Sequence, residues 1–189
     1  MTTTETTSAE EAPDSLAERV NNRSRRPSSD AFREFMGSQW GPRPDPGITR
    51  SAVADYLPAR AIAAGEPFAG ERLVIPAGTY KVRSNDCTYR FRAYSAFAHL
   101  SGLGQEREPD SVIVLEPLPE GGHEAVLYFK PRTSRSSQEF YSDSRYGEFW
   151  VGARPSLEEV SAETGLRCEH IDTLREIGRA SCRERVFRA

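Results

Sequence analysis

Few side chains in this chain could carry chemistry. The three histidines, His99, His123 and His170, are the first candidates for holding a metal or moving a proton. None stands in an HxxxH or HExxH arrangement, and none has a cysteine or carboxylate at zinc-ligand spacing. His99 falls on a short apolar run and is read as a satisfied packing histidine rather than a ligand. His123 falls at a hairpin corner and is read as solvated. Cys87, Cys168 and Cys182 are an odd number at unrelated spacings without a CxxC pair. That argues against a disulfide framework or a zinc knuckle and fits a reducing cytoplasm. No GxSxG elbow, phosphate-cradling GxxxxGKS/T loop or GxGxxG fingerprint occurs, and the Ser101–Gly104 stretch "SGLG" is too short to count. A hydrolytic site needs a nucleophile beside a base, or a metal with its ligand set, so no self-contained active site is expected.

The elements that would position any site follow from patterning. With 189 residues, 37% of them hydrophobic, the chain can build one good core but not two large domains. A mean hydropathy of -0.62 and the lack of an apolar run near the ~20 residues of a membrane span predict a soluble protein. The start, "MTTTETTSAEEAPDS", has neither the basic end nor the apolar stretch of a secretory signal. A net charge of -3 gives no general attraction to nucleic acid. The basic "RSRRP" at Arg23–Pro27 is read as a solvated linker charge run rather than a nucleic-acid patch.

Residues 1–28 hold few large apolar side chains and are expected to be disordered. A helix is expected from Ser29 to Trp40, capped by Ser29 or Asp30, with Phe32, Phe35, Met36 and Trp40 at helical spacing. A second should begin after Thr49, with Val53, Tyr56, Leu57 and Ile62 on one face and a kink at Pro58. "ERLVIPAG" reads as a buried strand, and "TYRFRAY" as a half-buried one with Tyr89 and Phe91 on the same side. "SAFAHLSGL" predicts a short helix capped by Ser95 and stopped at Gly102. "SVIVLEP" and "HEAVLYFKP" predict a hairpin across "LPEGG". A long polar loop follows, and then a helix with a Ser156–Glu159 capping box ending at Gly165. Strands interleaved with helices, without an internal repeat, predict an α/β domain over residues 29–175.

Several motifs occur together in order. Arg83, Ser84 and Asp86 form a turn that leads into Tyr89 and Arg92. Ser95, Phe97, Leu100 and Gly102 follow on a helix, then the Pro109–Asp110 turn and a hydrophobic strand. Further on come "VLYFKPR" and "EFWVGARPSLEEV". This run, from about Leu73 to Gly165, resembles the N-terminal domain of the Xaa-Pro aminopeptidases (aminopeptidase P), within the creatinase and prolidase family of metallopeptidases. His99 replaces the usual aromatic before the leucine, and Pro155–Ser156 stands where a glycine is common. The resemblance implies a mixed β-sheet flanked by helices, in a ribonuclease-H-like arrangement. It implies that catalysis belongs to a following "pita-bread" domain with two manganese ions, whose bridging water attacks the bond before proline. It further implies a homo-oligomer acting on proline-containing peptides.

Two residues gain a role from the resemblance. Trp150 would lid the active site of the adjacent subunit, its ring stacking on a substrate proline; alternatively it closes the edge of its own core. Outward presentation is the expectation, because Gly147 and Gly152 flank it and the polar loop before it has no apolar period. Asp86 would face the neighbouring subunit's active site and pair with a basic group, or else is a solvent-exposed turn residue. Two rivals stand beside the peptidase reading. One is a non-catalytic peptide- or protein-binding module of the same fold, since a related architecture without metal ligands serves as a peptide-binding part of a histone chaperone. The other is a stand-alone small α/β domain.

The end of the chain reads differently. "EIGRASCRERV", Glu176–Val186, resembles the conceptual translation of a sequencing-library adapter residue for residue, against the alternative of a natural arginine-rich tail. Residues 176–189 are therefore expected to be non-native. The genuine reading then stops near Arg175, before the catalytic domain, in "HIDTLRE", which looks like the opening of a helix, and this chain alone is expected to be inactive.

Overall fold

The structure is a computed structural model that describes residues 29–85 and 87–174, and the backbone alone of 184–186. The disordered tail expected over 1–28, Asp86, and most of the 176–189 segment lie outside the described residues.

Sheet order follows from two apolar runs that must be buried on both sides. β4 (Val112–Pro117) and β5 (His123–Phe129) form the expected antiparallel hairpin and occupy the centre of a five-stranded mixed sheet. β1 (Arg72–Pro76) pairs antiparallel with β4, with Leu73 opposite Leu115 and Ile75 opposite Ile113. β6 (Arg167–His170) runs parallel to β5, and the backbone strand β7 (Glu184–Val186) runs parallel to β1. Strands covered on both faces read as continuous apolar runs, which is why "VIVL" and "AVLYF" lack polar alternation.

One face carries the main core. Leu73, Ile75, Ile113, Leu115, Leu127 and Phe129 pack against Leu57, Ala61, Phe97, Leu100 and Val160. The opposite face buries Val114, Val126 and Tyr128 beneath Ile171 and Leu174.

The helices depart from expectation where phase decides. α1 (Asp30–Gly37) is capped by Ser29, whose hydroxyl accepts from the Phe32 amide at 3.3 Å, but it stops before Trp40. α2 is Leu57–Gly65, preceded by a 3-10 turn at Ala54–Tyr56, so Pro58 sits in its first turn and no kink arises. The buried stripe runs through Leu57, Ala61 and Gly65, with Val53 packed against the core, while Tyr56 and Ile62 are exposed.

"TYRFRAY" is not the expected strand: only its first residue, Thr88, pairs. The chain makes a small ribbon of β2 (Val82–Ser84) and β3 (Cys87–Thr88), closed by the Tyr89 amide donating to the Lys81 carbonyl at 2.9 Å, and residues 90–94 then belong to no strand. The Phe91 carbonyl accepts from the Glu106 amide at 3.1 Å, and its ring is buried while Tyr89 stays exposed. α3 (Ser95–Ser101) has Tyr94, not Ser95, at its cap and ends at Gly102 with φ 67°.

The segment expected as a loop contains two short helices, α4 (Gln138–Ser142) and α5 (Glu148–Val151), and buries Phe140. α6 (Leu157–Thr164) carries the full Ser156–Glu159 capping box.

Candidate functional site

The α4–α5 turn is built by backbone proximity. An ideal Cβ on Gly147 would lie 2.5 Å from the Asp143 carbonyl oxygen and 2.6 Å from those of Glu139 and Phe140, so only glycine lets the two helices meet. The Gly147 amide donates to Asp143 O at 2.8 Å. The Asp143 side chain accepts the amides of Arg145 and Tyr146 at 2.8 and 3.1 Å. Burial alone would raise its pKa, but those amides and Lys130 hold it below the usual aspartate value. Gly152, at φ 85°, then ends α5 in a conformation that costs other residues strain.

Trp150 stands on α5 with 60% of its surface exposed, so its own domain does not enclose it. Its indole N–H donates to the Tyr141 carbonyl at 2.7 Å, which anchors one edge while most of the side chain stays exposed. Phe149 meets Trp150 edge-on at 5.7 Å and also approaches Trp40 and Phe140. Phe149, Trp150 and Val151 thus form an apolar ridge on the surface.

Beside this ridge, residues 40–49 and the helices α4 to α6 enclose an open cleft of about 1060 Å³. Trp40, Phe140, Phe149 and Pro155 line it. Three ion pairs run along its walls: Arg43 with Glu148, Arg132 with Glu159, and Arg107 with Glu163 at 2.7 Å. Glu159 also accepts the Ser156 amide at 2.8 Å. Although burial would raise its pKa, Arg132 and that amide hold it below the ordinary range.

Under α5 lies an acidic turn with unusual backbone. Glu106, Glu108 and Asp110 have φ of 63°, 45° and 61°, each a left-handed placement costing about 1–3 kcal/mol for a non-glycine residue. Glu108 is 4% exposed at its side chain and pairs with Arg154, 9% exposed, at 3.2 Å. Burial raises the Glu108 pKa despite the neighbouring Arg154 and Arg107. Asp110 accepts from Arg145 at 2.6 Å and from the Tyr146 hydroxyl. Burial and that hydrogen bond push the Tyr146 phenol up. Motifs recognised separately in the sequence, the Pro109–Asp110 turn and the Trp150 segment, are therefore joined by charge.

The other candidates do not assemble. His99 is exposed rather than packed, because the buried stripe of α3 is Phe97, Leu100 and Ser101. His123 is buried rather than solvated: its ring lies over Gly65, and Nε2 donates to the Glu71 carbonyl at 2.8 Å. His170 caps the 3-10 turn at Ile171–Thr173, its Nδ1 accepting from the Asp172 amide. Among the described residues no group of three or more His, Cys, Asp or Glu side chains could hold a metal ion, so these residues do not fit the manganese pair. Cys87 is exposed, while burial, with Glu108 nearby, pushes the Cys168 thiol up to about 12. Asp86 lies outside the described residues. Sequence reasoning missed the roles of Glu108, Arg145, Tyr146 and Arg154. Their one local sign was the run of acids spaced two apart around Pro109.

A mixed α/β domain with this sheet is shared by solved aminopeptidase P structures. The proline aminopeptidase P II of Yersinia pestis superposes with a TM-score of 0.56 at 23% identity, covering 72% of this chain and 29% of that one. The family model for the aminopeptidase P N-terminal domain matches residues 59–185. Xaa-Pro aminopeptidases 2 and 1 of Streptomyces coelicolor are 41% identical over 139 residues and 42% identical over 147, covering 74% and 77% of this chain. The chain belongs to the aminopeptidase P N-terminal domain family. It spans 29% of the length of either relative. Among the described residues no helix is long and apolar enough to cross a membrane.

Proposed function

We propose that this chain serves as the N-terminal, oligomerisation and substrate-capping domain of a metal-dependent Xaa-Pro aminopeptidase, which removes the N-terminal residue preceding proline. On this reading the reacting groups and two manganese ions belong to a following pita-bread domain, and the complete protein is a cytoplasmic homo-oligomer. Trp150 carries the reading: an indole anchored by its N–H, flanked by Phe149 and Val151 and 60% exposed, leaves apolar surface that its own domain does not enclose. Asp86 is proposed to face the neighbouring subunit's site and to pair with a basic group there.

The test uses the protein of the complete reading frame with manganese and an Ala-Pro-type peptide. Trp150→Ala should weaken handling of short proline peptides tenfold to a hundredfold, the equivalent of about 1.5–3 kcal/mol of lost apolar burial, with melting unchanged. An inactive complete protein, or a variant with unaltered kinetics, rejects the proposal. A second reading, a non-catalytic peptide-binding module, is supported by the aromatic-lined cleft. Peptide binding by this chain, together with an inactive complete protein, would favour it.

A further inference from the structure

We propose that the acidic turn at residues 106–110 is a two-point clamp that sets where α5, and with it Trp150, stands on the domain. Glu108 and Asp110 are its positioning residues. The inference deepens the reading of Trp150 as a capping ring and rests on it for its functional meaning, although the clamp itself can be tested without it.

The ties fall on both sides of α5. Before the helix, Asp110 holds Arg145 at 2.6 Å and accepts the Tyr146 hydroxyl. After it, Glu108 holds Arg154 at 3.2 Å. The Arg154 side chain then reaches back to the Tyr146 carbonyl at 3.4 Å, next to the first turn of α5. Its guanidinium lies 5.1 Å from the Tyr146 ring centroid, so both ties converge on one aromatic platform. Glu148 completes the ring by accepting the Arg154 amide at 3.0 Å and pairing with Arg43.

Apolar packing cannot fix α5 by itself. The helix has no buried residue, and Phe149, Trp150 and Val151 are 50%, 60% and 43% exposed. A glycine would adopt the left-handed angles of Glu108 and Asp110 freely but would carry no carboxylate. The strain of the turn is offset by charge-assisted bonds that only these side chains make.

The experiment follows Trp150 fluorescence in the full chain carrying Trp40→Phe, which leaves Trp150 as the one tryptophan. Glu108→Gln and Asp110→Asn keep side-chain shape and remove charge. Each should lower the anisotropy of Trp150 and raise its acrylamide quenching constant about twofold as α5 loosens. Asp110 lies nearer the surface, with 33% of its side chain exposed, so its variant still folds if Glu108→Gln does not. Leu127→Ala, a core truncation that removes none of the clamp's charged groups, serves as a stability control and should lower melting while leaving the Trp150 signal in place. Restoring the ring's anisotropy with the swapped pair Glu108→Arg and Arg154→Glu would support the clamp directly. Unchanged fluorescence in folded Glu108→Gln and Asp110→Asn overturns the proposal, as does an equal change in Leu127→Ala. If the clamp holds but Trp150→Ala leaves peptidase kinetics intact, the capping role fails and the positioning stands.

Discussion

Gly147→Ala is the sharpest test of how the candidate site is built. The backbone at Gly147 has φ -70°, which any residue adopts, so the substitution introduces no dihedral strain. Its methyl group would nevertheless lie 2.5–2.6 Å from three backbone carbonyl oxygens, of Asp143, Glu139 and Phe140. Backbone cannot rotate aside as a flexible side chain would, so α4 and α5 must separate. Overpacking of this kind costs about 1–3 kcal/mol. For a domain of this size, that is a fall of roughly 2–12 °C in melting temperature at ~2–4 °C per kcal/mol. The same separation strains the Trp150 indole bond to Tyr141 and the Gly147 amide bond to Asp143. Circular dichroism melting paired with acrylamide quenching reads both effects. Gly41→Ala is the control: nothing lies within 4 Å of its methyl and φ is unremarkable, so it should melt like the parent. A Gly147→Ala protein that melts with the parent and keeps its Trp150 signal would refute the packing argument.

Three further outcomes are expected. Asp143 and Glu159 titrate below their ordinary values, so the stability they contribute is present above about pH 4, near their unfolded pKa values, and is lost as pH falls through the folded ones; Glu108, raised by burial, contributes in the opposite sense, as stability lost when pH rises through its folded value. Melting should drop on acidification, Glu159→Gln should flatten that drop, and a parent profile unchanged down to strongly acidic pH would contradict both shifts. In a Cys182→Ser background, a thiol reagent should modify exposed Cys87 quickly and half-buried Cys168 far more slowly, because burial limits access and a thiol pushed up to about 12 holds almost no thiolate at neutral pH; equal rates would refute this. Ending the chain at Arg175 should leave melting unchanged or improved, whereas a large loss would show that the pairing of Glu184–Val186 with β1 is needed.

What the sequence by itself determined is whatever short-range pattern dictates. Two consecutive apolar runs around "LPEGG" could only be a buried hairpin, and Ser156 with Glu159 could only open a helix, because both signals are complete within a few residues. Motif order likewise carried the family without any coordinates. Tertiary structure decided the rest, for reasons no local window contains. "TYRFRAY" alternates like a strand, yet Phe91 joins the core with no strand partner beside it. The buried face of α2 runs through Ala61 and Gly65 rather than Ile62, because Gly65 sits against His123, fifty-eight positions further on. The acidic turn shows the limit most plainly. Nothing near Glu108 in the chain says that it is ionisable yet buried, since its partner, Arg154, lies 46 residues away. A charge can leave water only when an opposite charge is brought to it, and only folding brings these two together.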